Sequence, residues 1–349
     1  MNRSTSPHKP VHHNCSDRRP VHHNCSDRRP GLAKQARQSD NDNHTQLSRR
    51  GFLYAGAASL GGALLYTSGP AYAQAAATIT TIDLNGATLL QGAGCNVVAL
   101  PGPDGALMID GGRAANADAL LAAVKAATRA SRINTLINTH WHPEQTGVNE
   151  AVGRDKGVII AHEKTKLALS NTIYASETFK GRLAPLSPAG RPTKTWRSDG
   201  TIEFAGQQVD YGYMPAAHTD GDIYLHLPKL NLLVVGGVLS AESWPLLDYK
   251  NGAWLGGRVR ASEKLATLVK PDTRVVPADG RMMTGADVVR QRDMYQKLFS
   301  TMIGYLNKGM GPEDAVLARP LKAYEGEFGD SSTFSYGALR SMMIAYVPD

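Results

Sequence analysis

A chain of 349 residues is long enough for one large domain or two ordinary ones, and 42% hydrophobic with 20% charged residues is the composition of a soluble globular protein. The formal charge of +7 invites a nucleic-acid partner, yet ten of the 38 Lys and Arg residues and only four of the 31 acids lie in residues 1–73, which leaves 28 against 27 beyond them. No general basic footprint remains there, so nucleic acid is excluded as the default partner.

In chain order, the first feature is a duplication: residues 11–20 and 21–30 are identical copies of VHHNCSDRRP. A His and Cys tract of this kind invites a metal-binding reading, but the blander one fits better, and residues 1–47 are expected to be a disordered or mis-started extension. Ser48-Arg49-Arg50-Gly51-Phe52-Leu53, followed by the weakly apolar run Tyr54 to Tyr66, resembles a twin-arginine export signal. The run falls short of the roughly 20 apolar residues that cross a bilayer. Ala71-Tyr72-Ala73 supplies the small residues a signal peptidase accepts, so 48–73 reads as a signal peptide cleaved after Ala73. The expected destination is the periplasm or another exported location, with no stable membrane span after cleavage. Cys15 and Cys25 leave with the leader. Cys95 is then alone, which excludes an intramolecular disulfide and predicts a buried apolar thiol.

From Ala77 onward short β-type runs alternate with helical segments and no long linker intervenes, so residues 77–349 read as one domain. Strands are predicted over 78–83, 96–100, 106–109, 135–138, 158–160, 201–204, 208–213, 223–227 and 232–235, and helices over 115–130, 163–170, 288–306 and 335–346. Pro101-Gly102-Pro103-Asp104-Gly105 joins the second and third strands as a hairpin. Strand pairs mixed with helices predict a layered α/β sandwich.

Beyond the leader the chain has five histidines, and two stand in Thr139-His140-Trp141-His142-Pro143-Glu144-Gln145, directly after a strand-like run. Loops at strand ends commonly carry ligands. A third, His218, stands in Ala217-His218-Thr219-Asp220-Gly221-Asp222 between two predicted strands. Three imidazoles with one open position suit Zn²⁺ or another divalent cation. The alternative for a lone His-x-His pair is a polar loop. His162 reads as a helix-start residue, His226 as a structural strand residue, and Trp141 as a wall of the cleft. Asp220 and Asp222 are expected to tie down the loop around His218.

These segments together resemble the metallo-β-lactamase superfamily across nearly the whole domain. The resemblance implies a four-layer αββα sandwich. Met108-Ile109-Asp110-Gly111-Gly112 is similar to the family's early aspartate-bearing strand end, and His140, His142, Glu144 and Gln145 fall on its His-x-His-x-Asp-His loop. The family's metal-bridging aspartate falls on Gly237, and its last histidine falls on Asp279. The resemblance therefore implies a three-histidine position that is intact and a second metal position that is badly altered, with Asp279, Gln145 and Asp110 left as candidates for weak or supporting contacts. Glu144 is the candidate general base. The function expected is an exported hydrolase that uses one cation, Zn²⁺ first, to activate water against an ester, thioester, lactone or amide. The alternative is a catalytically silent relative that binds a small molecule or a protein partner through the old cleft.

Overall fold

The computed structural model describes residues 78–174, 176 and 181–346. The duplicated decapeptide, the Arg49-Arg50 segment and the Ala73 cleavage site lie outside the described residues.

Two mixed sheets face each other. The first contains β1 (Thr80–Asp83), β2 (Thr88–Gln91), β3 (Val97–Leu100), β4 (Ala106–Ile109), β5 (Ile133–Ile137), β6 (Val158–His162) and β7 (Lys194–Trp196), adjacent in that order. β1 to β4 pair antiparallel, and β4 to β7 pair parallel. The second contains β8 (Gly200–Phe204), β9 (Gln207–Met214), β10 (Asp222–Leu227), β11 (Leu232–Gly236), β12 (Arg274–Pro277) and β13 (Met283–Thr284). It is antiparallel except between β11 and β12. Parallel neighbours need crossovers. α1 (Ala117–Thr128) serves β4–β5, α2 (Pro143–Thr146) and α3 (Asn149–Arg154) serve β5–β6, α4 (Glu163–Ser170) serves β6–β7, and α5 (Leu255–Ala266) serves β11–β12. α6 (Gly285–Asn307), α7 (Pro312–Ala318), α8 (Glu325–Phe328) and α9 (Ser332–Tyr346) complete the chain. No described helix is long and apolar enough to cross a membrane.

Strand composition explains the layering. β3, β4 and β11 are buried at every position, the mark of sheets covered on both faces. Because successive side chains alternate, Leu107 and Ile109 of β4 meet Leu225, Val234 and Val276 between the sheets. Met108 turns the other way, against Leu120 and Val124 of α1 and Val152 of α3. On the second sheet Leu233, Val235 and Val275 turn outward beneath Leu255 of α5, Tyr295 and Leu298 of α6 and Leu339 of α9. The order is helix, sheet, sheet, helix, as expected from the resemblance.

The predicted hairpin is present, with Val98 opposite Ile109. α4 occupies the predicted span, and His162 is its N-cap: Nδ1 accepts the Lys164 amide at 3.3 Å. His226 lies within β10, with Asp210 3.9 Å away. Cys95 is buried and free.

Candidate metal centre

Strand ends from both sheets meet at one edge of the sandwich. Asp110 follows β4, His140 and His142 follow β5, Gly237 follows β11, Asp279 follows β12, and His218 sits in the β9–β10 turn. Main-chain hydrogen bonds tie these ends together: Asp110 N to Ile137 O at 2.8 Å, Ile223 N to Thr139 O at 2.9 Å and Ala278 N to Gly236 O at 2.8 Å. Asn138 and Asn149 exchange side-chain amide bonds at 2.9–3.1 Å, and Asn138 also donates to the Gln145 carbonyl, which shapes the loop bearing the first two histidines.

His140, His142 and His218 are buried, and one potential ligand atom from each lies within 4.8 Å of the others. Their rings stand nearly perpendicular in every pairing, at 84°, 88° and 84°. The partners behind each ring fix its tautomer. His218 Nδ1 lies 2.7 Å from the Leu246 carbonyl, which only accepts, so Nδ1 carries the hydrogen and Nε2 is bare. His142 Nε2 donates to Asp248 Oδ2 at 3.0 Å, which leaves Nδ1 bare. The Thr139 hydroxyl donates a hydrogen bond to the Asp110 carboxylate at 2.8 Å. Thr139 Oγ1 then accepts from His140 Nδ1 at 2.9 Å and leaves Nε2 bare.

Two of these bare nitrogens, His142 Nδ1 and His218 Nε2, are only 3.0 Å apart. Two lone pairs at that spacing repel unless a cation lies between them. Tetrahedral ligands at ~2.05 Å from zinc sit about 3.3 Å apart, so the donor set fits a divalent cation. Burial lowers the pKa of both His140 and His218, and the neighbouring imidazoles push the same way. Neutral rings are the form that ligates.

Carboxylates hold this arrangement from outside. Asp110 has φ +63°, and burial pushes its pKa up to about 7 against the pull of the Thr139 hydrogen bonds. Asp222 accepts the amides of His218 and Thr219 at 2.7 and 2.8 Å, and burial likewise raises it to about 7. This is the expected loop-tying role. Asp220 contributes through its main-chain carbonyl, which takes the Tyr213 hydroxyl at 2.8 Å.

Asp248, Arg258 and Thr139 support the ligands, a role the sequence reading assigned to none of them. Asp248 is fully buried and also accepts from Ser176 at 2.8 Å and from Asn251 at 3.0 Å. Arg258 is fully buried and donates to the carbonyls of Val238, Pro245 and Leu246, clamping the strap that holds His218. Thr139 relays Asp110 to His140. Only the general rule that ligating imidazoles carry outer hydrogen-bond partners could have prompted a search for them. Asp248→Asn should lower Zn²⁺ affinity roughly 10–100-fold with little change in thermal midpoint, measured by competition with a chromogenic chelator.

The cleft beside the cluster, ≈ 270 Å³, is lined by Arg113, Glu144, Gln145, Gly237 and Asp279 among others. Glu144 is 3.1 Å from the Arg113 guanidinium. Gln145 is buried, and its Oε1 has no hydrogen-bond partner among the described residues. Burial and the nearby Glu242 raise the Asp279 carboxyl. At Gly237 a Cβ would stand 2.3 Å from His218 Nε2, so the His218 ring fills the space in which a side chain at 237 would begin. Trp141 does not line this cleft. It packs edge-on behind His142, with centroids 4.4 Å apart, and borders a separate cavity.

Residues 90–281 match the metallo-beta-lactamase superfamily, and the chain belongs to that family. A search of curated proteins returned no match. Among solved structures, the sec-alkylsulfatase Pisa1 from a Pseudomonas species is 15% identical with a TM-score of 0.57, matched over 78% of this chain and 50% of that one. A metallo-beta-lactamase from Pontibacter korlensis is 22% identical with a TM-score of 0.46, over 62% of this chain and 93% of the other. The DIM-1 metallo-beta-lactamase is 16% identical with a TM-score of 0.49, over 63% and 97%.

Proposed function

We propose that this protein is an exported, metal-dependent hydrolase of small molecules, in which His140, His142 and His218 hold one divalent cation, zinc in the first instance. Its substrate bond would be an ester, thioester, lactone or amide. The observation that carries this reading is the 3.0 Å approach of two bare imidazole nitrogens beside a cleft. A cation bound there would supply Lewis acidity, polarising a carbonyl oxygen and easing the ionisation of water. The chain's own residues do the rest. Asp110, Asp248 and the Leu246 carbonyl keep the ligating nitrogens free of protons. Glu144 accepts the proton that the attacking water gives up, and Arg113 holds its carboxylate against the cleft wall.

The second metal position has only the carboxylates of Glu144 and Asp279, with no charged group at 145 or 237. This supports a mononuclear site over a two-cation one. Chelator-treated protein should lose hydrolysis of a panel of chromogenic esters, thioesters and lactones and regain it with one equivalent of Zn²⁺. Tight metal uptake with no hydrolysis across the panel would favour the silent, ligand-binding reading.

The proposal extends to the N-terminal segment: 1–47 as an extension without a folded role, 48–73 as a twin-arginine signal and 77–349 as the catalytic domain. Replacing Arg49 and Arg50 together with Lys should retain precursor in the cytoplasm, whereas deleting 1–40 should leave processing near Ala73 unchanged. Fractionation and N-terminal sequencing read both. Continued export of a processed double-Lys variant would sink the assignment.

A further inference from the structure

A second cavity of ≈ 460 Å³ lies against the first and shares with it the strap Trp244-Pro245-Leu246. Its far wall is Val316 of α7 and Phe334, Tyr336 and Gly337 of α9, all beyond the family-matched residues 90–281. The volume is in the range that takes small organic ligands, roughly 300–1,000 Å³. Its lining is mostly apolar: Asp330 is its one carboxylate, Ser332, Thr333 and two tyrosines add hydroxyls, and no Lys, Arg or His is there. Trp244 offers its ring rather than its polar edge, because its indole N–H is already bonded to the Gly329 carbonyl at 2.9 Å. Stacking on Phe334, centroids 5.2 Å apart, fixes that ring in the lining that the two cavities share. The strap is also catalytic-side structure, since its Leu246 carbonyl orients His218.

We propose that this cavity is the subsite for an uncharged alkyl or aryl portion of the substrate whose reactive bond lies at the three histidines. The placement rests on the hydrolase reading, but the cavity's affinity for apolar groups does not. An anionic tail meets no cation there and faces Asp330. A straight alkyl chain meets Leu246, Leu247, Val316 and Phe334, and each methylene buried strengthens binding roughly fourfold. The chain's C-terminal helices thereby set substrate size and polarity for a site built by the sheets.

Gly337 provides the test. It lies in α9, and a Cβ there would meet Tyr249 at 3.6 Å, an ordinary contact. Gly337→Leu therefore projects into the cavity while favouring the helix. Val316→Asp instead charges the partly exposed wall, so the inference does not hang on one variant folding. The neutral fluorophore N-phenyl-1-naphthylamine is titrated into the full-length protein, metal-free and zinc-loaded, with 1-octanol and ethanol as competitors. The expected result is saturable one-site binding, displaced by octanol far better than by ethanol, unchanged by metal and weakened at least tenfold in both variants. The preference for p-nitrophenyl octanoate over the acetate should fall at least tenfold in the same variants. Equal probe binding in parent and folded variants, or no saturable binding, overturns the subsite. Variant-sensitive probe binding without hydrolysis of any ester, thioester, lactone or amide offered to the zinc-loaded protein keeps the subsite and removes the hydrolase reading.

Discussion

His218→Ala is expected to lower Zn²⁺ affinity by at least about 100-fold. Four-ligand zinc sites bind with roughly 10–16 kcal/mol, so each ligand supplies ~3 kcal/mol, and 1.4 kcal/mol is tenfold. The loss should reach this size because, among the described residues, no other imidazole is placed to replace His218. His162 is committed to capping α4 and stacking on Tyr213, and His226 lies in β10 beside Asp210. His226→Ala is the control and should leave zinc binding unchanged. Competition titration against a chelator separates the two variants. A folded His218→Ala protein that retains parental affinity would remove this residue from the site.

Gly237→Ala should have a comparable effect for a different reason. Its single added carbon would stand 2.3 Å from His218 Nε2, the nitrogen that faces the other imidazoles. The ring cannot retreat cheaply, because Nδ1 is bonded to the Leu246 carbonyl and Arg258 clamps that strap from behind. Overpacking of this kind costs about 1–3 kcal/mol. We expect that cost to appear both in urea unfolding of the metal-free protein and as a loss of zinc affinity of about 10–100-fold. An aspartate at 237 would begin with the same collision. Restoring a bridging carboxylate alone is therefore expected to damage the first metal position before it builds a second. Parental zinc affinity in Gly237→Ala would show that the His218 ring has room to shift.

Much of the fold was legible because strands covered on both faces appear as uninterrupted apolar runs, as in Ala106–Ile109 and Leu232–Gly236. What escaped was short or carried a misleading signal. β2 is the four residues TLLQ, and β7 is the three residues KTW. α5 holds Gly256-Gly257 within its first turn, which reads as a break. The glycine serves packing and does not end the helix: at Gly257 a Cβ would be 1.9 Å from the Ala216 carbonyl, an approach that only glycine permits.

The three histidines were legible because two share a motif after a strand end and the third stands in a turn between two strands. Their supports were not, because the partnerships span the chain. His142 and Asp248 are 106 residues apart, and nothing local in Leu246-Leu247-Asp248 marks a carboxylate aimed at an imidazole. Gly237 was legible as a missing ligand. That its vacancy is filled by the His218 ring is a matter of packing, which spacing along the chain does not encode.

The most direct measurement is the metal content of the purified protein beginning after Ala73, after exhaustive dialysis against metal-free buffer and titration with Zn²⁺, read by elemental analysis and by native mass spectrometry. A three-imidazole site beside a degraded second position predicts one tightly held ion per chain, lost in His218→Ala. Two ions of similar high affinity, or none in a folded protein, would contradict it.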